Sequence, residues 1–130
     1  MRGLNSMPVL DIELVQPDDA APPAAALTRT LADAAGGVFG GAPGRTWVRL
    51  RLLPASQYAE NGVPALGRDE LPVFVTVMHA QAPAGDALAT EALALAQALA
   101  AGLGRAPERV HVQYAPDGAR RQAFGGVIAK

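Results

Sequence analysis

The stretch MPVLDIELV, Met7–Val15, has a counterpart half a chain later in LPVFVTVMH, Leu71–His79. In the first, Leu10, Ile12 and Leu14 alternate with Val9, Asp11, Glu13 and Val15, which is the period of a strand with one buried face. Each stretch is followed, at about the same distance, by another matching pair: VRLRLLP (Val48–Pro54) and VHVQYAP (Val110–Pro116). Between the members run helical spacings, Ala24, Leu27, Leu31, Ala35 and Val38 in the first half and Leu88, Ala92, Leu95, Ala96, Leu99 and Leu103 in the second. A strand–helix–strand unit written twice predicts a two-layer α+β fold, a four-stranded mixed sheet with two helices on one face. The repeats span 8–54 and 72–116 within a single domain, 8–130, that closes with a C-terminal tail; residues 1–7 form an extension ahead of it.

The boundaries follow from local chemistry. Asp18 and Asp19 offer helix-start groups, Gly36 and Gly37 a stop, Asp86 a cap for the second helix, and Gly102 and Gly104 its end. The segment 55–71, with Asn61-Gly62, Pro64 and Gly67, reads as a loop or small hairpin. His79, at a strand end, is expected to be solvated.

The chain has 130 residues, half of them apolar, 18% charged and no cysteine. That length suits one core, and the missing cysteine excludes disulfides and thiolate chemistry. Two distant histidines leave no metal-ligand set, so neither a metal nor a cofactor is expected. A net charge of −1 gives no general pull toward nucleic acid or anionic lipid. No segment reads as a signal peptide or membrane span, and a cytoplasmic protein is the expectation.

With helices on one face, the other face of the sheet carries Asp11, Glu13, Arg49, Arg51, Thr76, His111 and Gln113 among Val9, Trp47, Phe74 and Met78. It is either a solvated face or an anion-binding interface between subunits. Trp47 and Tyr58 read as packing residues.

These residues resemble the tautomerase superfamily over nearly all of Met7–Ala129. MPV opens the first strand; RTWVRLRLLPASQYAENG (Arg45–Gly62) is similar to the arginine-bearing strand of the 4-oxalocrotonate tautomerase type. RAPERVHVQYAPDG (Arg105–Gly118) is similar to the last strand of the macrophage migration inhibitory factor type, and the length suits the fused 5-carboxymethyl-2-hydroxymuconate isomerase type. The resemblance implies a homotrimer acting on a small carboxylate-bearing substrate, with Pro8 as the catalytic base once it is the N-terminus. It further implies a carboxylate held by Arg49 or Arg51, His111 and Gln113 lining the pocket from a neighbouring subunit, and Phe124 keeping it apolar. His111 and Gln113 stand where the inhibitory-factor type has tyrosine and asparagine, so substrate preference is expected to differ.

Chemistry supports that role for proline. A free N-terminal proline is a rigid secondary amine whose pKa starts near roughly 8 and is lowered by burial, so it can abstract a proton α to a carbonyl. An arginine fork then binds the carboxylate of the dienolate. The obstacle is Met7, which acylates Pro8 in the full chain. Two functions therefore stand side by side: a keto–enol tautomerase or isomerase of an unsaturated or aromatic 2-keto acid, and a catalytically silent trimer serving as a small-acid binding module or scaffold. Dehalogenation and decarboxylation rank lower for want of a water-activating glutamate. The element order also fits a ferredoxin-like domain.

Overall fold

The computed structural model describes residues 7–130, so residues 1–6 of the expected extension lie outside it. The repeats appear as strand β1 (Val9–Gln16), helix α1 (Ala25–Phe39) and strand β2 (Trp47–Pro54), then β3 (Val73–Met78), α2 (Asp86–Leu103) and β4 (Val110–Tyr114). The tail adds two short strands, β5 (Ala123–Phe124) and β6 (Val127–Ile128).

The sheet order is β2-β1-β3-β4, with β1/β2 and β3/β4 parallel and β1/β3 antiparallel. Each repeat thus keeps its own two strands side by side. A ferredoxin-like chain splits its β-α-β units with an intervening strand, so that alternative is excluded.

The core lies between sheet and helices. Leu10, Ile12 and Leu14 of β1 and Val73, Val75 and Val77 of β3 meet Leu31, Ala35 and Phe39 of α1 and Leu95, Leu99 and Ala100 of α2. The outer strands give one buried group, Val110, and otherwise partly buried ones, Val48, Leu50 and Val112, because each has a neighbour on one side alone. Arg105 ties the repeats together: Nη1 donates to Leu71 O (2.6 Å) and Nη2 to Val15 O (2.9 Å).

The two repeats do not superpose as their prolines suggest. Matching Pro8 to Pro72 sets Leu10 against Phe74, yet Leu10 is fully buried and Phe74 lies on the open face. The second repeat is slipped by one residue, which turns a strand over. Val15, grouped above with the open face, is also fully buried.

Several boundaries differ from expectation. Helix α1 runs through Gly36 and Gly37 and stops at Gly40, whose φ of 65° suits glycine; Phe39, buried in the core, holds the last turn in place. Asp18 caps the 3-10 turn at Ala55–Gln57 by accepting from Ser56 N (3.0 Å), and Asp19 pairs with Arg68, so neither starts α1. Asp86 is already helical, after Gly85, and makes no capping bond. Gly104 ends α2, while Gly102 sits inside it, where a Cβ would come into ordinary contact with Leu31 at 3.4 Å. The 55–71 segment makes two 3-10 turns and no hairpin. Helix α2 is, among the described residues, long and apolar enough by composition to cross a membrane; its buried residues are Glu91, Leu95, Ala96, Leu99 and Ala100, the last four part of the core.

His79 is 3% exposed, a correction to its expected solvation. Its Nε2 lies 2.8 Å from Glu91 Oε2, which also accepts from the Tyr114 hydroxyl (2.8 Å), and Phe39 meets the imidazole edge-on at 5.1 Å. Burial, then the Glu91 hydrogen bond, raises the Tyr114 pKa; at Tyr58 the hydrogen bond to Glu60 leads, with burial second. Both tyrosines of the chain are thus held neutral past the ordinary value of 10.0. The folded protein is expected to show less tyrosinate absorbance at pH 10 than unfolded protein, which is about half ionised there. The sign for stability follows: the unfolded chain releases protons first, so stability is intact below pH 10 and falls as pH rises above it.

Candidate active site

The open face is ordered in three rows by strand register. At the Pro8 end stand Trp47, Val9 and Met78; the middle row is Arg49, Asp11, Thr76 and Gln113; the far row is Arg51, Glu13, Phe74 and His111. Successive rows are roughly 7 Å apart, two residues of strand rise.

The first row borders a cavity of about 300 Å³ lined by Val9, Asp11, Trp47, Arg49, Thr76, Met78, Ala115, Gln122, Ala123 and Phe124. The tail reaches it because Gly118 N and Ala119 N donate to His79 O (2.8 Å) and Ala80 O (2.9 Å), anchoring the chain beyond β3. From there the tail closes as a β5–β6 hairpin through Gly125 and Gly126, both of positive φ, as a two-residue hairpin loop requires. Phe124 so meets Trp47 edge to face, centroids 5.1 Å apart, while the indole N–H donates to Gly44 O (3.0 Å). Trp47, 44% exposed, is a cavity wall, a correction to the packing role read from sequence.

Arg49 supplies the cavity's cation. Its Nε and Nη2 donate to the two Asp11 oxygens at 2.6 and 2.8 Å, and this hydrogen-bonded pair raises the Arg49 pKa further. Five N–H groups belong to a guanidinium, so the Nη1/Nη2 edge still offers a fork to a carboxylate. Of the two arginine–carboxylate neighbours on this face, Arg49–Asp11 and Arg51–Glu13, the first forms an ion pair. Arg51 stands beside Glu13 in register, but the two make no ion pair among the described residues.

Pro8 itself is buried at the head of β1, where its carbonyl accepts from Trp47 N at 3.1 Å. It adjoins the cavity through Val9 and does not line it. Its nitrogen is bonded to Met7, whose Sδ lies 3.5 Å from Arg45 Nη1.

The structure therefore brings Arg49 and Phe124 together in the first cavity, which Pro8 does not line, and sets Arg51 and Gln113 in a second cavity, of about 420 Å³, farther along the sheet. Gln113 donates to Thr76 Oγ1 (3.0 Å); the exposed His111 ring lies 5.6 Å from Phe74 and lines neither cavity. Sequence reasoning read Trp47 as packing and did not name Gln122. Trp47 had a signal, an indole in phase with Arg49 on a face without helices; Gln122 had none.

No family model and no curated protein matches the sequence. Solved structures do match in fold. A fused 4-OT wild-type symmetric trimer shares 22% identity over 93% of this chain and 95% of that one, with a TM-score of 0.71. Pt0534, solved after inactivation by 2-oxo-3-pentynoate, shares 17% over 93% and 95%, with a TM-score of 0.69. A macrophage migration inhibitory factor homologue from Prochlorococcus marinus shares 15% over 94% and 99%, with a TM-score of 0.65. The chain has the fold of the tautomerase superfamily.

Proposed function

We propose that the chain is a keto–enol tautomerase or isomerase of a small unsaturated or aromatic 2-keto acid, with Pro8 as general base once Met7 has been removed. The observation that carries this reading is the 300 Å³ cavity next to the head of β1, where two aromatic rings and a clamped arginine meet. In this reading the outer edge of Arg49 takes the substrate carboxylate, with Asp11 holding the guanidinium in place. The Trp47 and Phe124 rings exclude water and favour the neutral amine. Pro8 nitrogen takes the proton from the carbon α to the carbonyl, the charge passes to the enolate oxygen, and the resulting ammonium returns the proton to carbon or oxygen. In this reading the chain is a homotrimer, as the fused 4-OT structure is, and His111 and Gln113 of a neighbouring subunit complete the pocket. The extension 1–7 is then a segment to be trimmed from domain 8–130.

The test combines intact mass with a covalent probe. Native protein beginning at Pro8 should accelerate ketonisation of phenylenolpyruvate and acquire one 2-oxo-3-pentynoate adduct at Pro8; protein trimmed to Pro8 that does neither overturns the reading. Arg49→Met should lower kcat/KM about 10- to 100-fold, mostly through KM, the scale of a lost charge-assisted hydrogen-bonded pair.

A second reading rests on Met7. Its peptide bond leaves Pro8 without a usable lone pair, and its sulfur already contacts Arg45. A chain that keeps Met7 would be a silent binding module or scaffold.

A further inference from the structure

The second cavity has a chemistry of its own. About 420 Å³ in volume, it is lined by Glu13, Arg51, Leu53, Tyr58, Phe74 and Gln113, with Asp11 and Thr76 at the border it shares with the first. From Pro8 to Glu13 the strand advances roughly 17 Å, so a small acid seated here cannot also reach the amine of the same chain. The site stands apart from the amine of its own chain, shares Gln113 with the pocket proposed above for a neighbouring subunit, and its binding does not depend on the Pro8 chemistry.

Two opposite charges sit side by side in this cavity. Arg51 and Glu13 are register partners on parallel strands, yet they form no ion pair among the described residues, whereas Arg49 and Asp11 one row away are closed into a bidentate pair at 2.6 and 2.8 Å. Each charge therefore remains available to a ligand. Beside them lies an aromatic wall: the Tyr58 ring is 5.8 Å from Phe74, at a tilt of 51°. Tyr58 is held rigid by its hydroxyl, which donates to Glu60 (2.6 Å), itself accepting from Arg109 (3.1 Å). Gln113 has its amide nitrogen committed to Thr76, leaving its oxygen as an acceptor.

A carboxylate alone would satisfy Arg51 and meet repulsion from Glu13; an amine alone would do the reverse. A molecule with both charged groups attached to one carbon and a flat apolar group satisfies all three walls. We propose that this cavity binds a free aromatic α-amino acid, its carboxylate on Arg51, its ammonium on Glu13 and the Gln113 oxygen, and its ring against Phe74 and Tyr58.

Calorimetric titration of the native protein with L-phenylalanine, phenylacetate and phenethylamine tests this. Phenylalanine should bind one per chain and at least tenfold more tightly than either single-charge analogue. Arg51→Met should weaken phenylalanine and phenylacetate at least tenfold. Glu13→Gln should weaken phenylalanine and phenethylamine while improving phenylacetate, a reversal that a merely structural role would not give. Phe124→Ala, which alters the first cavity, should leave phenylalanine affinity within about twofold. If Arg51→Met does not fold, Phe74→Leu takes its place, with a tenfold loss for all three ligands. The proposal is overturned if phenylalanine binds no better than phenylacetate, if Phe124→Ala removes its binding, or if the Glu13 and Arg51 variants leave it unchanged. Heat of binding is read without turnover, so failure here and failure of the Pro8 chemistry are separate results.

Discussion

Protein beginning at Pro8 is expected to catalyse enol ketonisation, and Pro8→Ala in the same trimmed background to lose about 10²- to 10⁴-fold in kcat/KM, the span of a positioned general base. The physical ground is the state of one nitrogen. In the chain with Met7 it is an amide; once freed it is a secondary amine at the head of a buried strand, flanked by the Trp47 row. Desolvation lowers its pKa from roughly 8, so the rate should rise with pH through a single ionisation below that value and then level. N-terminally extended protein should show neither the rate nor the ionisation. A Pro8→Ala variant within twofold of the parent would mean the proton goes elsewhere, since the primary amine of alanine is a different base in a less fixed position.

The second large effect concerns stability. Glu91→Ala should cost roughly 2–6 kcal/mol, because the buried His79 imidazole and the part-buried Tyr114 hydroxyl both lose their acceptor and each orphaned group costs about 1–3 kcal/mol. Glu91→Gln keeps an oxygen at the same place and should cost clearly less. Glu91→Leu suits the apolar stripe of α2 by shape but leaves both donors unmet, so it should resemble alanine. Urea midpoints measured for the three variants decide the matter: if leucine is as stable as the parent, the polar cluster contributes packing and little else.

That cluster also shows where sequence reasoning ran short. A lone histidine after a strand reads as solvated, and only its meeting with Glu91 and Phe39, from two different helices, buries it. Glu91 had left a trace: in α2 it falls in phase with Leu88, Leu95 and Leu99, where an acid has no business unless a partner waits opposite. By contrast the open face was legible residue by residue, since alternation in β1, β2, β3 and β4 fixes which side chains share a side. The alignment of the two repeats misled because proline dominates the eye, while the buried Val73, Val75 and Val77 carry the true phase. The expected stop at Gly36-Gly37 failed for a similar reason: two glycines weaken a helix by local propensity, and the buried Phe39 outweighs them.

The meeting of β1 with β3, reinforced by Arg105, bears on how such a chain could come apart and be put back together. Each repeat buries its best strand against the other repeat, so a half-length polypeptide would present that strand as a bare edge. Two halves severed within the exposed stretch 61–65 would still hold complementary edges and should recombine when mixed. Covalent fusion replaces an encounter between two molecules with the closing of one loop, which removes the dependence of assembly on concentration.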